Sequence, residues 1–156
     1  MGAVIEVRGN EELARRLERA GRLEPVRDLV EQAAARAREL AARYARPHPA
    51  DTGALGRAVE ARIQGLEALV TPARRVAGIA LTVEEGRQPG QRPPKAAITL
   101  WAGRHGIGVD PWVLASRIAR EGTRGVRMFA RAAEETEQWL RAQAGSVAAR
   151  VERDLA

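Results

Sequence analysis

The chain offers few side chains of the types that carry out covalent catalysis or bind metals. It contains no cysteine, which excludes a thiolate nucleophile and a thiolate zinc site. Its two serines, Ser116 and Ser146, lie outside the Gly-x-Ser-x-Gly setting of a nucleophilic serine. Its two histidines, His48 and His105, lack the spacing to each other or to a carboxylate that would make a metal-ligand set. We therefore predict a protein that is not an enzyme and binds no cofactor or metal.

Two further patterns resemble catalytic motifs but have simpler explanations. Glu84 and Glu85 are adjacent, and adjacent helix positions point apart, so they make a poor acid–base pair. We expect them to form a solvated helix end. Residues 103–108 are rich in glycine but lack the Gly-Lys-Ser/Thr ending of a phosphate-binding loop, and they follow no clear strand. We expect these glycines to end a helix.

The net charge of +6 is concentrated in one segment. Residues 86–131 hold nine basic and two acidic groups, whereas the rest of the chain is nearly neutral. A surface this basic should meet something acidic, either nucleic-acid phosphates or the carboxylates of another protein. Trp101 and Trp112 would stack on bases if the segment bound nucleic acid, but their helical setting favours a place in the core, as for Phe129. The basic residues of the segment are Arg87, Arg92, Lys95, Arg104, Arg117, Arg120, Arg124, Arg127 and Arg131.

The first half of the chain predicts a small sheet and two helices. Residues 3–7 are β-branched and predict a strand, and alternation on both sides of Gly65 predicts an antiparallel hairpin over residues 59–70. Asn10 should cap a short helix, residues 51–55 should form a turn, and Pro25 should open a longer helix. The apolar stripe of that longer helix consists of Val26, Val30, Ala33, Ala37, Leu40, Ala41 and Tyr44.

The second half predicts four helices. Each of the first three begins at a proline and ends at glycine, and the last keeps one apolar face from Arg124 nearly to the end. The chain should thus form one α+β domain over residues 1–156, with about three antiparallel strands, several helices and a long C-terminal helix. No apolar run approaches the ~20 residues that span a bilayer, so we expect no membrane partner. The proline-led starts are Thr71-Pro72, Pro94 and Asp110-Pro111, and residues 86–94 should be a mobile loop.

Four stretches combine a glycine turn with an apolar residue: GNEEL (9–13), TGALGRAV (52–59), VEEGRQP (83–89) and IAREGTRGVRMFARA (118–132). Their order and spacing resemble the gene-ten-like minor tail components of tailed phages, also described as tail-completion or head–tail joining proteins. The resemblance spans nearly the whole chain. Ala58 stands where the family usually has serine, and Arg87 where it has threonine.

The resemblance implies a structural virion protein that is assembled in the host cytoplasm and located at the neck of the particle. Such proteins form a homo-oligomeric ring between the head connector or adaptor and the tail terminator or tail tube, around the double-stranded DNA in the channel. A tail-terminator role, or a place in a phage-like particle such as a gene transfer agent, fits the same resemblance. The alternative from charge alone is a nucleic-acid-binding module that uses residues 86–131.

The matched positions have expected structural roles. Gly53 and Gly86 should adopt backbone angles that other residues resist, and Leu55 should anchor the hairpin to the core. Gly122 should end one helix and Thr123 should cap the next. The remaining motif residues are Thr52, Glu85 and Phe129. For the assembly interface the predicted residues are Arg87, Gln88, Arg92, Lys95, Arg120 and Arg124, which should meet acidic surfaces of neighbouring subunits.

Overall fold

A three-stranded antiparallel sheet organises the first half of the chain. In this computed structural model, which describes residues 5–7, 24–45 and 53–155, strands β1 (Ile5–Val7), β2 (Val59–Gln64) and β3 (Glu67–Pro72) lie in the order β1–β3–β2. The predicted strand and hairpin are confirmed. Thr71 and Pro72, however, do not start a helix. They continue β3, because Thr71 pairs with Glu60 and Pro72 with Val59 across the hairpin.

Helix α1 (Glu24–Ala45) covers one face of this sheet. The apolar stripe predicted for it is confirmed, because Val30, Ala33, Ala37, Leu40 and Ala41 are all buried. A turn was predicted over residues 51–55, but Ala54 and Leu55 belong to a single helical turn, α2 (Ala54–Arg57). The helix predicted after Asn10 lies outside the described residues, as do Asp51 and Thr52.

The C-terminal helix α6 (Met128–Leu155) lies antiparallel to α1. The guanidinium of Arg36 lies 5.7 Å from the ring centroid of Trp139, and that of Arg131 lies 3.9 Å from the ring centroid of Tyr44. The first turns of α6 bury Met128, Phe129 and Ala132 in the main core, together with side chains of α1 and the sheet. The helix begins four residues after the predicted start at Arg124.

The remaining elements lie between β3 and α6. A 3-10 turn (Arg74–Val76) leads into α3 (Ala77–Glu85), and α4 (Lys95–Arg104) and α5 (Pro111–Glu121) follow. A second, two-stranded sheet pairs β4 (Gly86–Arg87) with β5 (Thr123–Arg124). The predicted α+β class and long C-terminal helix are confirmed. No helix within the described ranges is long and apolar enough to cross a membrane.

Candidate functional site

The basic segment forms an arm that stands apart from the core. We define the arm as residues 86–124, which comprise β4, the following loop, α4, α5 and β5. Neither hydrophobic cluster of the described residues includes any arm residue. Helices α4 and α5 pack mainly on each other, and only small side chains, Ala102 and Ala115, are fully buried within them. The arm is therefore a helical hairpin joined to the body through the β4–β5 ribbon.

Three glycines allow the backbone segments of this ribbon to approach each other very closely. A Cβ atom on Gly86 would lie 2.2 Å from the carbonyl oxygen of Thr123, and one on Gly122 would lie 2.1 Å from that of Arg87. A Cβ atom on Gly125 would lie 2.2 Å from the carbonyl oxygen of Glu84. Gly86 and Gly122 also have φ values of 83° and 72°, in the region that favours glycine. Two of the four stretches that combine a glycine turn with an apolar residue, residues 83–89 and 118–132, thus meet at one structural joint.

The Glu84 side chain fastens this joint to the C-terminal helix. Its carboxylate accepts hydrogen bonds from the backbone N–H groups of Phe129 (2.8 Å) and Ala130 (3.0 Å), in the first turn of α6. Its backbone carbonyl accepts from the N–H of Arg127 at 3.1 Å, and Arg127 itself has an uncommon φ of 55°. The expectation of a solvated helix end was wrong for Glu84, because its carboxylate supplies the N-cap that the local sequence of α6 lacks.

Thr123 does not cap the last helix, contrary to the prediction. It lies in β5, five residues before Met128, and its hydroxyl accepts a hydrogen bond from the backbone N–H of Arg87 at 3.1 Å. Its role is to hold the ribbon together across the joint. Gly122, by contrast, ends α5 as expected: its N–H donates to the carbonyl of Ile118 at 2.8 Å.

The loop from 88 to 94 contacts α5. The N–H of Gly90 donates to the carbonyl of Ala119 at 2.7 Å, and the Arg87 guanidinium donates to the carbonyl of Gln91. The guanidinium of Arg92 lies 4.0 Å from the ring centroid of Trp112, a cation–π geometry. The predicted loop is confirmed for residues 88–94, whereas Gly86 and Arg87 belong to β4, because they pair with Arg124 and Thr123.

Large apolar side chains are exposed on the arm. Leu100 is 60% exposed, Val113 57%, Val109 49% and Trp112 48%. The prediction that Trp112 belongs to the core was therefore wrong, whereas Phe129 is buried as expected, at 2% exposed. Of these side chains, exposed tryptophan is, like arginine, enriched at protein–protein interfaces.

Trp101 lies between these two cases. It is half-buried on α4, and its ring centroid lies 5.2 Å from that of His105 in a tilted arrangement. The indole N–H is buried and has no hydrogen-bond partner in the described part of the chain. Trp101 belongs to neither hydrophobic cluster of the described residues, so its predicted place in the core is not confirmed.

All six residues predicted for the assembly interface lie on the arm. Lys95 and Arg124 are exposed and form no ion pair within the described residues, and Gln88 is exposed as well. Arg120 instead joins Arg117 in binding Glu121, at 3.1 Å and 2.9 Å respectively. Hydrogen bonds from Arg117 and then Arg120 lower the pKa of Glu121, while Glu121 raises the pKa of Arg117. These groups are exposed, so the pairs position side chains more than they stabilise the fold.

The motif residues around α2 are structural. Gly53 adopts φ 65° before the first turn of α2, and Leu55 is 3% exposed in the main core, so both expectations are confirmed. Glu85 lies at the end of α3, and its exposed side chain forms no hydrogen bond or ion pair with the described residues. Thr52 lies outside them.

Comparison with known proteins gives no relative from which a role of the arm could be inferred. No protein-family model matches the chain, and no curated protein or solved structure is significantly similar to it. Among the described residues, no three histidine, aspartate or glutamate side chains lie together as a metal site would require. The arm is the feature whose exposed chemistry calls for a functional explanation.

Proposed function

We propose that the chain is a structural virion protein that forms a ring at the neck of a tailed-phage particle and joins the DNA-filled head to the tail. The observation that carries the proposal is the arm, a basic and apolar hairpin outside the core, fastened at a glycine joint built from two of the family-like stretches. Its partners would be further copies of the chain, the head connector or adaptor, and the tail terminator or tail tube.

The arm has the chemistry that a ring contact needs. A ring requires a heterologous interface, in which one patch of a subunit meets a different patch of the next. The exposed apolar residues Leu100, Trp112 and Val113 would supply burial, and the surrounding arginines would select the partner and its register. The contact of Arg92 with Trp112 would also lower the conformational entropy that the loop loses on binding.

A paired charge reversal tests this role of the arm. Arg87→Glu combined with Arg92→Glu should leave the monomer folded but prevent its incorporation into particles, because under this proposal both arginines meet an acidic neighbour. The matched control is Arg74→Glu with Arg75→Glu, which makes the same change in charge at exposed positions outside the arm. Normal incorporation of the arm variant would contradict the proposal, as would equal loss in the control.

The exposed Arg92–Trp112 pair also favours a second candidate function, a nucleic-acid-binding module. Arginines would contact phosphates, and the tryptophan would stack on a base once Arg92 moved from its ring. Binding through several phosphates weakens log-linearly with salt concentration. A steep salt dependence of tight DNA binding would favour this function, whereas weak, non-specific affinity is expected for a joining protein.

A further inference from the structure

Strand β2 is an edge of the main sheet. It pairs with β3 on one side, and no strand of the described residues pairs with its other side. At six residues it is long enough to receive another strand, and open edges of this kind are templates for pairing with a second chain. Ile63, on the face that packs towards α1, is 46% exposed at this edge.

The backbone groups that face the open edge belong to Val59, Ala61 and Ile63. In an antiparallel ladder, alternate residues bond to one neighbour and the residues between them point the other way. The carbonyl of Ala58 accepts a hydrogen bond from the N–H of Ala73 at 2.7 Å, so Ala58 bonds to its partner across the hairpin. The next pair is Val59 with Pro72, and Pro72 has no N–H to donate to Val59. Even-numbered residues of β2 therefore bond to β3, and the odd-numbered ones direct their N–H and C=O groups outwards.

The sequence of β2 is complementary to itself about Ala61. If a second copy of the strand lies antiparallel with Ala61 opposite Ala61, then Val59 lies opposite Ile63 and Glu60 lies opposite Arg62. The odd-numbered pairs are the hydrogen-bonded ones, as the outward backbone groups require. The charged pairs occupy the non-hydrogen-bonded positions, where facing side chains are closest.

We propose that two copies of this chain associate through their β2 edges, about a two-fold axis at Ala61, to form one continuous six-stranded sheet. Each Arg62, which lies 3.4 Å from Glu60 of its own strand, would pair with Glu60 of the other copy. The two apolar pairs would cover Ile63 on the side of the sheet that carries α1. A two-fold contact is isologous, so it differs from the heterologous contact of a ring.

The pair is a form of the free protein. A neck ring has different ends towards head and tail, so a two-fold contact has no place within it. Pairing would protect the open edge from non-specific association with other chains. This inference does not depend on the neck function, and the two are tested separately.

The test uses two charge reversals whose effects cancel when the variants are mixed. Glu60→Arg places arginine opposite arginine in the pair, and Arg62→Glu places glutamate opposite glutamate. Each variant alone should dimerise about tenfold or more weakly than the original chain in sedimentation equilibrium of the full chain. A mixture of the two restores opposite charges at both positions, so we expect a one-to-one heterodimer.

The controls separate this contact from the arm and from loss of folding. The double variant in one chain, Glu60→Arg with Arg62→Glu, should dimerise as the original does. Ala61→Pro removes an outward N–H without removing a bond to β3, so it should give a folded monomer. Arg87→Glu with Arg92→Glu should leave the dimer intact. A monomeric original chain at millimolar concentration, or variants that associate no better mixed than alone, would overturn the proposal.

Discussion

Removal of the Glu84 carboxylate tests whether the arm joint and the C-terminal helix are coupled as the structure indicates. Glu84→Ala deletes two hydrogen bonds that backbone N–H groups in the first turn of α6 donate to the carboxylate, at 2.8 Å and 3.0 Å. Loss of an N-cap costs ~0.5–2 kcal/mol, and hydrogen bonds to charged groups contribute ~1.5–3 kcal/mol each at most. Because Glu84 is only half-buried, we expect a loss of about 2 kcal/mol in the free energy of unfolding.

Urea denaturation followed by circular dichroism measures this loss. For a chain of this size, 2 kcal/mol should also lower Tm by about 4–8 °C. Glu85→Ala is the matched control, since Glu85 is the adjacent, exposed glutamate and should change stability by less than ~0.5 kcal/mol. Glu84→Gln keeps one acceptor oxygen and should fall between the two. Equal stabilities for Glu84→Ala and Glu85→Ala would refute the reasoning.

Four further substitutions, one of them a control, separate the roles of the joint, the arm and the core. Gly125→Ala should strongly lower the free energy of unfolding measured by denaturation, because its Cβ would lie 2.2 Å from a backbone carbonyl oxygen. The control Gly145→Ala, in a helix position with open space around it, should raise the free energy of unfolding by ~0.5–1 kcal/mol. The opposite order of stabilities would contradict the account of the joint. Trp112→Ala should change stability by under ~1 kcal/mol but speed amide exchange over residues 87–94, and unchanged exchange would show that the ring does not hold the loop. Leu55→Ala should cost ~2–5 kcal/mol by calorimetry, since the side chain is 3% exposed, and a smaller loss would remove its role as an anchor.

Periodic and capping signals predicted most of the elements. The stripe of α1, the hairpin around Gly65 and the Asp110 cap were readable because each depends on residues close in sequence. The structure places the Asp110 carboxylate oxygen 2.8 Å from the N–H of Trp112, as a cap requires. The end of α5 at Gly122 followed the same logic.

The features that the sequence did not reveal depend on contacts between distant segments. Glu84 caps a helix that begins 44 residues later, and Thr123 bonds to a strand 36 residues before it. Nothing in the local pattern distinguishes such side chains from solvated ones. The one available signal was the absence of a Ser, Thr, Asp or Asn directly before Met128, which indicates that the cap must come from elsewhere. Trp112 was misplaced because helical spacing alone does not say whether a face has a partner.

The arm contributes no residue to either hydrophobic cluster of the described residues, so the surface proposed for assembly lies outside the core. Its glycine joint fixes how the hairpin leaves the body, while α4 and α5 carry apolar and basic side chains outside the main packing. Under the proposed function, substitutions on the arm should therefore alter assembly with little effect on the free energy of unfolding. Substitutions in the core should lower the free energy of unfolding and leave the assembly surface unchanged.

The most direct test of the neck function is electron microscopy of particles made by a phage or prophage in which this gene is disabled. Filled heads beside separate tails are the predicted result, and complementation with the original gene should restore joined particles. The arm variant Arg87→Glu with Arg92→Glu should fail to complement, while Arg74→Glu with Arg75→Glu should succeed. Intact particles with tails attached, produced without the gene, would contradict the account.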